Sequence, residues 1–281
     1  MTKERLDRLL VKLGLVQSRN QAYAAIITGE VRVDGQISVK PAQLVELAAR
    51  IDYRPGDLDY VSRGGMKLAK ALDDFKLDVA GLTALDAGAS TGGFTDCLLK
   101  RGAARVIAVD VGYGQLAWKL RQDDRVDVLE RVNLRYLTPE MLSGLADIAS
   151  LDLSFISLTL VMAPVARCLK DDGTIVALVK PQFEVGKGKV GRGGIVKDPQ
   201  LHVEVLTALS RRFIGSGLSL AGMTWSPIVG AKGNIEYWLH LSKKPSVGYS
   251  IEMVGNLISQ VVAEAREALI KPETEEDTAN Q

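Results

Sequence analysis

Hydrophobic positions in the first forty residues follow two periods, one helical and one alternating. Leucines recur at spacings of three and four over residues 6–13, which predicts an amphipathic helix that ends at a glycine. Ser18 and Gln21 form a capping box, so a second helix is predicted from about residue 19 to Gly29. Apolar and polar residues then alternate around an Asp-Gly pair in VRVDGQIS, which predicts a hairpin. These elements form an α+β module that is too small to bury much apolar surface by itself.

From residue 82 onward, the pattern changes to short apolar runs separated by amphipathic stretches. Strands are predicted for the apolar runs LTALDAGA, ARVIAVDV, DVLE, DIASLDLS, TIVALVKPQ, SLAGMTWSPI and IEYWLHLSK. Helices are predicted through Lys100, near GQLAWKLR, from about Thr138-Pro139, and over IEMVGNLISQVVAEAREALI. Because strands that are apolar throughout are covered on both faces, these runs indicate an α/β fold with a parallel, doubly wound sheet.

The segment ARIDYRPGDLDYVSRGG separates the two patterns and contains a Pro-Gly turn. We therefore predict a small module with its linker over residues 1–60 and a larger domain over residues 61–271. Residues 272–281 carry four acids and no base, which predicts an acidic disordered tail. Without this tail the net charge rises from +1 to +5, since 35 bases then face 30 acids. A basic surface for an acidic partner is one interpretation, and a solvated face is the other.

The composition excludes several classes of protein. Two cysteines and two histidines are too few for a disulfide framework or a zinc cluster, so no metal is expected. No apolar run approaches the ~18 residues that cross a bilayer. The leading residues also lack the pattern of a signal peptide. We therefore expect a cytoplasmic protein without a membrane partner.

A glycine-rich turn, DAGASTGGFT over residues 86–95, follows the first strand of the larger domain. Its G-x-x-x-G-G spacing departs from the G-x-G-x-x-G spacing of dinucleotide sites. Asp86 would repel a pyrophosphate and attract an amine. Asp110, after the second strand, would accept hydrogen bonds from ribose hydroxyls. S-adenosylmethionine combines an ammonium, a sulfonium and a ribose without any phosphate, so this turn favours it over NAD. A tight turn without a ligand is the alternative.

The turn also resembles the first motif of the class I (Rossmann-like) S-adenosylmethionine-dependent methyltransferases. The resemblance implies that Gly88 and Gly92 lie against the methionine moiety, with Asp86 near its amino group. It also implies that Asp110 holds the ribose and that Asn133 meets the adenine edge, where many members have an acid. The candidate cofactor-binding residues are Asp86, Gly88, Ala89, Ser90, Gly92, Gly93, Phe94, Asp110, Val111 and Asn133.

Four charged residues stand at the ends of elements that such a fold brings to one crevice: Lys67, Asp152, Lys180 and Glu236. Methyl transfer to a hydroxyl needs an acceptor for the hydroxyl proton. Burial beside Lys67 is expected to lower the pKa of Lys180, which would then act as a base toward a ribose hydroxyl. Asp152 and Glu236 would orient this lysine and hold the substrate. The alternative is that these charges form structural ion pairs.

This series of lysine, aspartate, lysine and glutamate resembles the FtsJ-type ribose 2′-O-methyltransferases. The opening stretch RLDRLLVKLGLVQSRNQAYAAIITGEVRVDGQ resembles the S-four RNA-binding fold. With DAGASTGGFT, DVGYGQL, DLSFIS and LVKPQFE in that order, the resemblance over residues 1–245 extends to the TlyA family, also called hemolysin A. It implies 2′-O-methylation of cytidines in ribosomal RNA (rRNA), with Lys180 as the central base. Met66 stands where relatives often have a histidine.

Basic residues of the opening module are candidates for contact with RNA phosphates. The S-four resemblance implies such contacts from Arg5, Arg8, Arg19, Arg32 and Lys40. These contacts would make RNA affinity depend steeply on salt. Residues 186–194 contain five glycines and three bases, which are Lys187, Lys189 and Arg192. They are predicted to form a mobile basic loop over the crevice. A disordered insertion is the alternative for the loop, and a solvated helix face is the alternative for single arginines.

Three functions are compatible with these patterns. The first is an S-adenosylmethionine-dependent ribose methyltransferase that acts on ribosomal RNA or on ribosomal subunits. The second is an RNA-binding, ribosome-associated factor that keeps the fold without turnover. The third, a membrane-active hemolysin, conflicts with the expected lack of an export signal or a spanning segment. None of the patterns determines the oligomeric state.

Overall fold

The N-terminal module combines two helices with two small antiparallel sheets. The computed structural model describes residues 3–38, 40–54, 60–186, 188–245, 248–249 and 251–269. The elements of the module are β1 (Lys3–Arg5), α1 (Leu6–Lys12), α2 (Arg19–Thr28), β2 (Val31–Val33), β3 (Gln36–Ile37), β4 (Leu44–Glu46) and β5 (Ile51–Tyr53). β1 pairs with β4, and β2 lies between β3 and β5. The predicted tail at 272–281 lies outside the described residues.

Most elements predicted for this module from the sequence are confirmed. Ser18 Oγ accepts a hydrogen bond from the Gln21 amide at 3.2 Å, which caps α2. The predicted hairpin forms between β2 and β3. The first three leucines of the stripe are buried, but Leu13 is 52 % exposed because it lies past the end of α1. β1 was not predicted, since its pairing partner β4 is remote in the sequence.

The larger domain is built on a seven-stranded sheet. Its strands are β6 (Thr83–Ala87), β7 (Arg105–Val109), β8 (Val126–Leu129), β9 (Ala146–Leu151), β10 (Leu169–Val179), β11 (Ser219–Trp225) and β12 (Tyr237–Ser242). The strand order is β11, β12, β10, β9, β6, β7, β8, and β12 alone runs antiparallel to its neighbours. The predicted doubly wound sheet is therefore confirmed, with β12 as an antiparallel insertion near one edge.

Helices cover both faces of this sheet, as its apolar strands require. They are α3 (Arg63–Asp74), α4 (Gly93–Lys100), α5 (Trp118–Arg121), α6 (Met162–Arg167), α7 (Pro181–Glu184), α8 (Pro199–Gly215) and α9 (Ile251–Leu269). On one face, α3 and α4 contribute Leu68 and Cys97 to a buried apolar cluster. On the other face, α8 and α9 contribute Phe213 and Ile258 to a second cluster. Each face of the sheet thus buries its own core.

Two predicted helices are much shorter than the sequence pattern indicated. Near GQLAWKLR only the single turn α5 forms, because the backbone is still extended at Ala117. The α-helix expected from Thr138-Pro139 is wrong, since only a 3₁₀ turn forms over Pro139–Met141. Leu142 is extended again and packs against the core. A connection, rather than a helix, therefore buries Leu137 fully and Leu142 in part, whereas Met141 and Leu145 stay exposed.

The register of the sheet brings the ends of four parallel strands to one edge. Ala87 in β6 lies opposite Val109 in β7 and Leu151 in β9. Ala177 in β10 lies opposite the same Leu151. The residues that follow these strands are therefore neighbours along the carboxyl edge, where folds of this type form their ligand crevice.

Candidate active site

A cavity of about 410 Å³ opens at this carboxyl edge. Its lining includes eight predicted site residues, namely Lys67, Gly88, Ala89, Ser90, Gly93, Phe94, Asp152 and Lys180. It also includes residues that were not predicted, namely Ser62, Arg63, Gly64, Thr91, Ser154, Ile228, Val229 and Gly230. Three of the four candidate catalytic residues therefore meet the candidate cofactor turn in one cavity, while Glu236 is not among the described lining residues and reaches the cavity through its pair with Lys67.

The four candidate catalytic residues form two ion pairs. Lys67 Nζ donates to Glu236 Oε2 at 2.5 Å, and Lys180 pairs with Asp152. Lys180 Nζ also donates to Ser154 Oγ at 3.1 Å. The side chains of Lys67 and Lys180 are only 12 % and 11 % exposed. Folding thus brings four residues from distant parts of the chain to one largely desolvated site.

The charges around Lys180 contradict the expectation that its pKa falls. Burial disfavours the ammonium form, but the carboxylates of Asp152 and Glu236 outweigh burial and raise the pKa of Lys180. Burial likewise disfavours the charged form of Asp152, yet Lys180 and Lys67 lower the pKa of this carboxyl. The expected lowering is therefore wrong for the protein alone, in which Lys180 is held as an ammonium ion.

The two candidate cofactor carboxylates differ in accessibility. Asp110 follows β7 and accepts hydrogen bonds from the Ser90 amide at 2.8 Å and the Gly112 amide at 2.6 Å. Asp86 lies inside β6 rather than in the turn, is fully buried, and accepts from Thr95 Oγ1 at 2.6 Å. Burial raises the pKa of Asp86 to about 7. Its predicted place in the turn is therefore corrected, since Asp86 can act on a ligand only from beneath the turn.

The remaining cofactor candidates lie around the turn and at the neighbouring strand ends. Gly92 is the N-cap of α4, and Val111 is 70 % exposed just after β7. Asn133 Oδ1 accepts from the Arg135 amide at 3.1 Å and caps the 3₁₀ turn Leu134–Tyr136. Among the described residues that line the cavity, none of these three is included. They border the strand ends beside the cavity rather than its wall.

The shape and chemistry of the turn fit S-adenosylmethionine. Gly88 has a φ of +95°, and a β-carbon there would lie 2.6 Å from the Asp152 carbonyl oxygen, so only glycine leaves this space open. Asp86 Oδ1 is buried and has no hydrogen-bond partner among the described residues. An orphaned carboxylate oxygen below the turn suits a cationic ligand and opposes a pyrophosphate.

Two candidate RNA-binding residues of the module share one acid. Arg5 and Arg19 pair with the buried Asp7 at 2.9 and 3.0 Å. The hydrogen bond from Arg5 contributes most to holding the pKa of Asp7 well below its ordinary range. The two arginine side chains are still 38 % and 57 % exposed, so a phosphate can reach them.

The other RNA-binding candidates are divided between the module and the glycine-rich loop. Arg8 and Lys40 are exposed, and Arg32 is half-buried in β2. In the loop, Lys189 pairs with Glu204 at 3.2 Å, and Arg192 begins a 3₁₀ turn that ends at Gly194. Lys187 lies outside the described residues. The RNA contacts and the mobility of the loop stay predictions.

Two of the residues at or beside the cavity that were not predicted from the sequence are a cation and an exposed aromatic. Arg63, the first residue of α3, brings a guanidinium to a wall that already carries two balanced ion pairs. Burial lowers the pKa of Arg63, and the Glu236 carboxylate opposes this effect. Phe155 follows the cavity residue Ser154, is 89 % exposed, and has a φ of 64°. An exposed aromatic in left-handed backbone is unusual, but exposure is not visible in the sequence.

The strand order of the sheet, with a single antiparallel strand inserted near one edge and a glycine turn after β6, defines a class I methyltransferase. The FtsJ-like methyltransferase family matches residues 60–243, and the S4 domain family matches residues 4–51. The S4 domain is the S-four fold expected from the opening stretch. Together these two matches cover most of the described chain.

Known relatives share this arrangement along nearly their whole length. The chain is 48 % identical to the 16S/23S rRNA (cytidine-2′-O)-methyltransferase TlyA of Mycobacterium tuberculosis, over 93 % of this chain and 98 % of the relative. It is 40 % identical to hemolysin A of Brachyspira hyodysenteriae, over 84 % of this chain and 98 % of the relative. A Streptococcus thermophilus structure solved under the name hemolysin has a TM-score of 0.75 and 44 % identity, covering 95 % of this chain and 97 % of that one. The chain therefore belongs to the TlyA family of FtsJ-like methyltransferases.

Two further features of the described ranges concern membranes and metals. No helix within them is both long enough and apolar enough to cross a membrane. Within the same ranges, no group of three or more histidine, cysteine, aspartate or glutamate residues could hold a metal ion.

Proposed function

We propose that this protein transfers a methyl group from S-adenosylmethionine to the ribose 2′-hydroxyl of a cytidine in ribosomal RNA. The observation that carries the proposal is the Lys180–Asp152 pair at the cavity wall. It combines a proton acceptor with a carboxylate that stabilises the protonated form of that acceptor. The relative at 48 % identity is named for the same reaction on 16S and 23S rRNA.

Bound S-adenosylmethionine would supply the methyl group on a sulfonium, whose positive charge also disfavours the ammonium form of Lys180. The turn over residues 88–94 would hold its methionine part, and Asp110 would accept hydrogen bonds from the ribose. Asn133 and Val111 would border the adenine. Asp86 would stabilise the ammonium group from beneath the turn, through its unpartnered oxygen.

The chain's own side chains would handle the proton of the attacked hydroxyl. Lys180 must first lose the proton that Asp152 and Glu236 help it retain. The neutral amine would then accept a hydrogen bond from the 2′-hydroxyl, and the proton would move to Lys180 Nζ as the oxygen–methyl bond forms and the sulfur–methyl bond breaks, with S-adenosylhomocysteine as the leaving group. Asp152 stabilises the resulting ammonium ion. Lys67 and Glu236, which hold each other at 2.5 Å, would orient the ribose.

The surroundings of the cavity support an RNA substrate. The S4 domain supplies exposed bases such as Arg8, and Arg63 adds a cation to the cavity wall. Phe155, which is 89 % exposed, would stack on a base that has left its helix so that the ribose can enter the cavity. A ribosomal substrate would place the protein in the cytoplasm.

Transfer of tritiated methyl groups to ribosomal RNA, offered naked and as subunits, tests the proposal. Lys180→Ala should abolish transfer while calorimetry still detects binding of S-adenosylhomocysteine. Lys170→Ala is the matched control, because Lys170 lies at the other end of β10 and pairs with Asp147 at the surface.

Other outcomes would support the alternative functions. Wild-type protein that binds cofactor and RNA but transfers nothing to any ribosomal particle would support an RNA-binding factor without turnover. Leakage of liposomes caused by nuclease-treated protein would support a hemolysin. Mapping of 2′-O-methyl groups in rRNA from cells with and without the gene would identify the nucleotide.

A further inference from the structure

Asn234 is a buried amide that holds the end of the glycine-rich basic loop. Its side chain is only 2 % exposed. Asn234 Oδ1 accepts a hydrogen bond from the Val196 amide at 3.0 Å, and Nδ2 donates to the Gly194 carbonyl at 3.0 Å. Gly194 is the last residue of the loop, and Val196 lies two residues beyond it. A buried side chain that uses its donor and its acceptor on one backbone stretch fixes that stretch in place.

A second buried side chain holds the same point of the loop. His202 is 1 % exposed, and its Nε2 lies 2.8 Å from the Val196 carbonyl oxygen. Because a carbonyl oxygen only accepts, Nε2 carries the proton, and Nδ1 accepts from the Tyr237 hydroxyl at 2.7 Å. Tyr237 follows Glu236 directly. The loop is therefore linked to both sides of this glutamate, directly through Asn234 before it and, by way of His202, through Tyr237 after it.

The other end of the loop is attached close to the second ion pair. Lys180 immediately precedes α7, which ends at Glu184. The Glu184 carboxylate accepts hydrogen bonds from the Ser157 hydroxyl at 2.6 Å and the Leu158 amide at 2.8 Å. The loop thus connects the Lys180–Asp152 pair with the segment just before β12 that carries Glu236, and both of its ends are anchored.

We propose that Asn234 is a positioning residue that couples the basic loop to Glu236. This inference rests on the proposed function, because it takes the loop to be a part of the protein that contacts RNA phosphates. When the loop binds RNA, its fixed attachment at Val196 keeps Glu236, and with it Lys67, in register with the bound ribose. Without the attachment, the loop would bind RNA while moving independently of the catalytic residues.

Steady-state kinetics of Asn234→Ala provide the first test. The substitution leaves the Val196 amide and the Gly194 carbonyl without their partner. We expect kcat/KM for rRNA to fall about ten- to a hundredfold with a raised KM, since small misplacements of catalytic groups have effects of this size. Affinity for S-adenosylhomocysteine should stay within about twofold of wild type. Asn256→Ala is the matched control, because Asn256 is exposed on α9.

A double-mutant cycle separates coupling through the loop from a general loss of structure. In a background with Lys189→Ala and Arg192→Ala, the further effect of Asn234→Ala on KM should be smaller than in the wild-type background. The reason is that Asn234 is proposed to act through the RNA contacts of those two bases. Fully additive effects would overturn the proposal. So would an Asn234→Ala variant with a wild-type KM and kcat.

Hydrogen exchange at the Val196 amide keeps this inference distinct from the proposed function. RNA should slow this exchange in the wild-type protein and have no such effect in Asn234→Ala. If the wild-type protein transfers no methyl group, the proposed function fails. The exchange measurement still shows whether Asn234 couples the basic loop to the segment that carries Glu236. Exchange at Val196 that responds to RNA equally in both proteins would refute the role of Asn234.

Discussion

The side chain of Arg63 packs on Gly29 of the S4 domain, and the same arginine lines the cavity at the carboxyl edge of the sheet. A β-carbon on Gly29 would lie 2.6 Å from Arg63 Cδ. Gly29 is the C-cap of α2 and has a φ of 86°. The two modules therefore meet at a residue that belongs to the cavity wall.

Gly29→Ala should raise the KM for rRNA and lower the stability. The new carbon must displace Arg63, and left-handed backbone strains an alanine by about 1 kcal/mol. Gly217→Ala is the matched control, because Gly217 has a φ of 91° with no atom within 4 Å of its added carbon. Gly217→Ala should lower the midpoint of thermal unfolding through the same backbone strain, but its KM for rRNA should equal that of the wild type. Equal KM changes in both variants would argue against the Arg63 contact.

Gly230→Ala should reduce kcat strongly with little effect on cofactor binding. A β-carbon at this position would lie 1.9 Å from Glu236 Oε1, so the carboxylate must leave its place beside Lys67. A displacement of this kind typically costs about a hundredfold in rate. Single-turnover methylation measures it. Gly215→Ala, near the end of α8 and with no atom within 4 Å, should behave like wild type; a similar loss there would contradict the steric explanation.

Methylation should become faster as the pH rises through the neutral range. In the proposed mechanism only neutral Lys180 accepts the hydroxyl proton, and the pKa of Lys180 lies above its ordinary value. Below that pKa, the neutral fraction grows about tenfold per pH unit, and kcat should follow it.

Asp152→Asn tests the cause of this pH dependence. The substitution removes the nearest carboxylate that raises the pKa of Lys180, so the rising limb of the profile should move to lower pH even though the maximal kcat falls. The measurement is kcat against pH for both proteins. A limb that stays in place, or that moves to higher pH, would be inconsistent with Lys180 as the base.

Arg8→Ala should weaken RNA binding and reduce its salt dependence. Loss of one phosphate contact decreases the slope of log K against log salt by about 0.7 to 0.9. Filter binding at several salt concentrations measures both quantities. Arg125→Ala is the control, because Arg125 lies on the larger domain and already pairs with Asp123 at 2.7 Å. An unchanged slope in Arg8→Ala would remove this residue from the interface.

The sequence by itself determined most of the local elements and the family. The cap at Ser18, the hairpin, the glycine turn and the apolar strands depend on residues within a few positions of each other, so their patterns are visible before folding. The helix near GQLAWKLR forms only over its last turn, and the helix expected from Thr138-Pro139 was wrong, because an apolar pattern does not distinguish a helix from a partly buried connection. The order of the motifs carried the resemblance to the TlyA family, which the comparisons confirm.

Only the tertiary structure decided how the charges are paired. Lys67 forms an ion pair with Glu236, a residue 169 positions away, and Lys180 forms one with Asp152. The sequence indicated only that these four residues would lie in one crevice. The burial of Asp86, the raised pKa of Lys180, and the presence of Arg63 in the cavity wall were likewise decided by folding. The physical reason is that desolvation and Coulomb interactions depend on distances in space, which the order of residues along the chain does not specify.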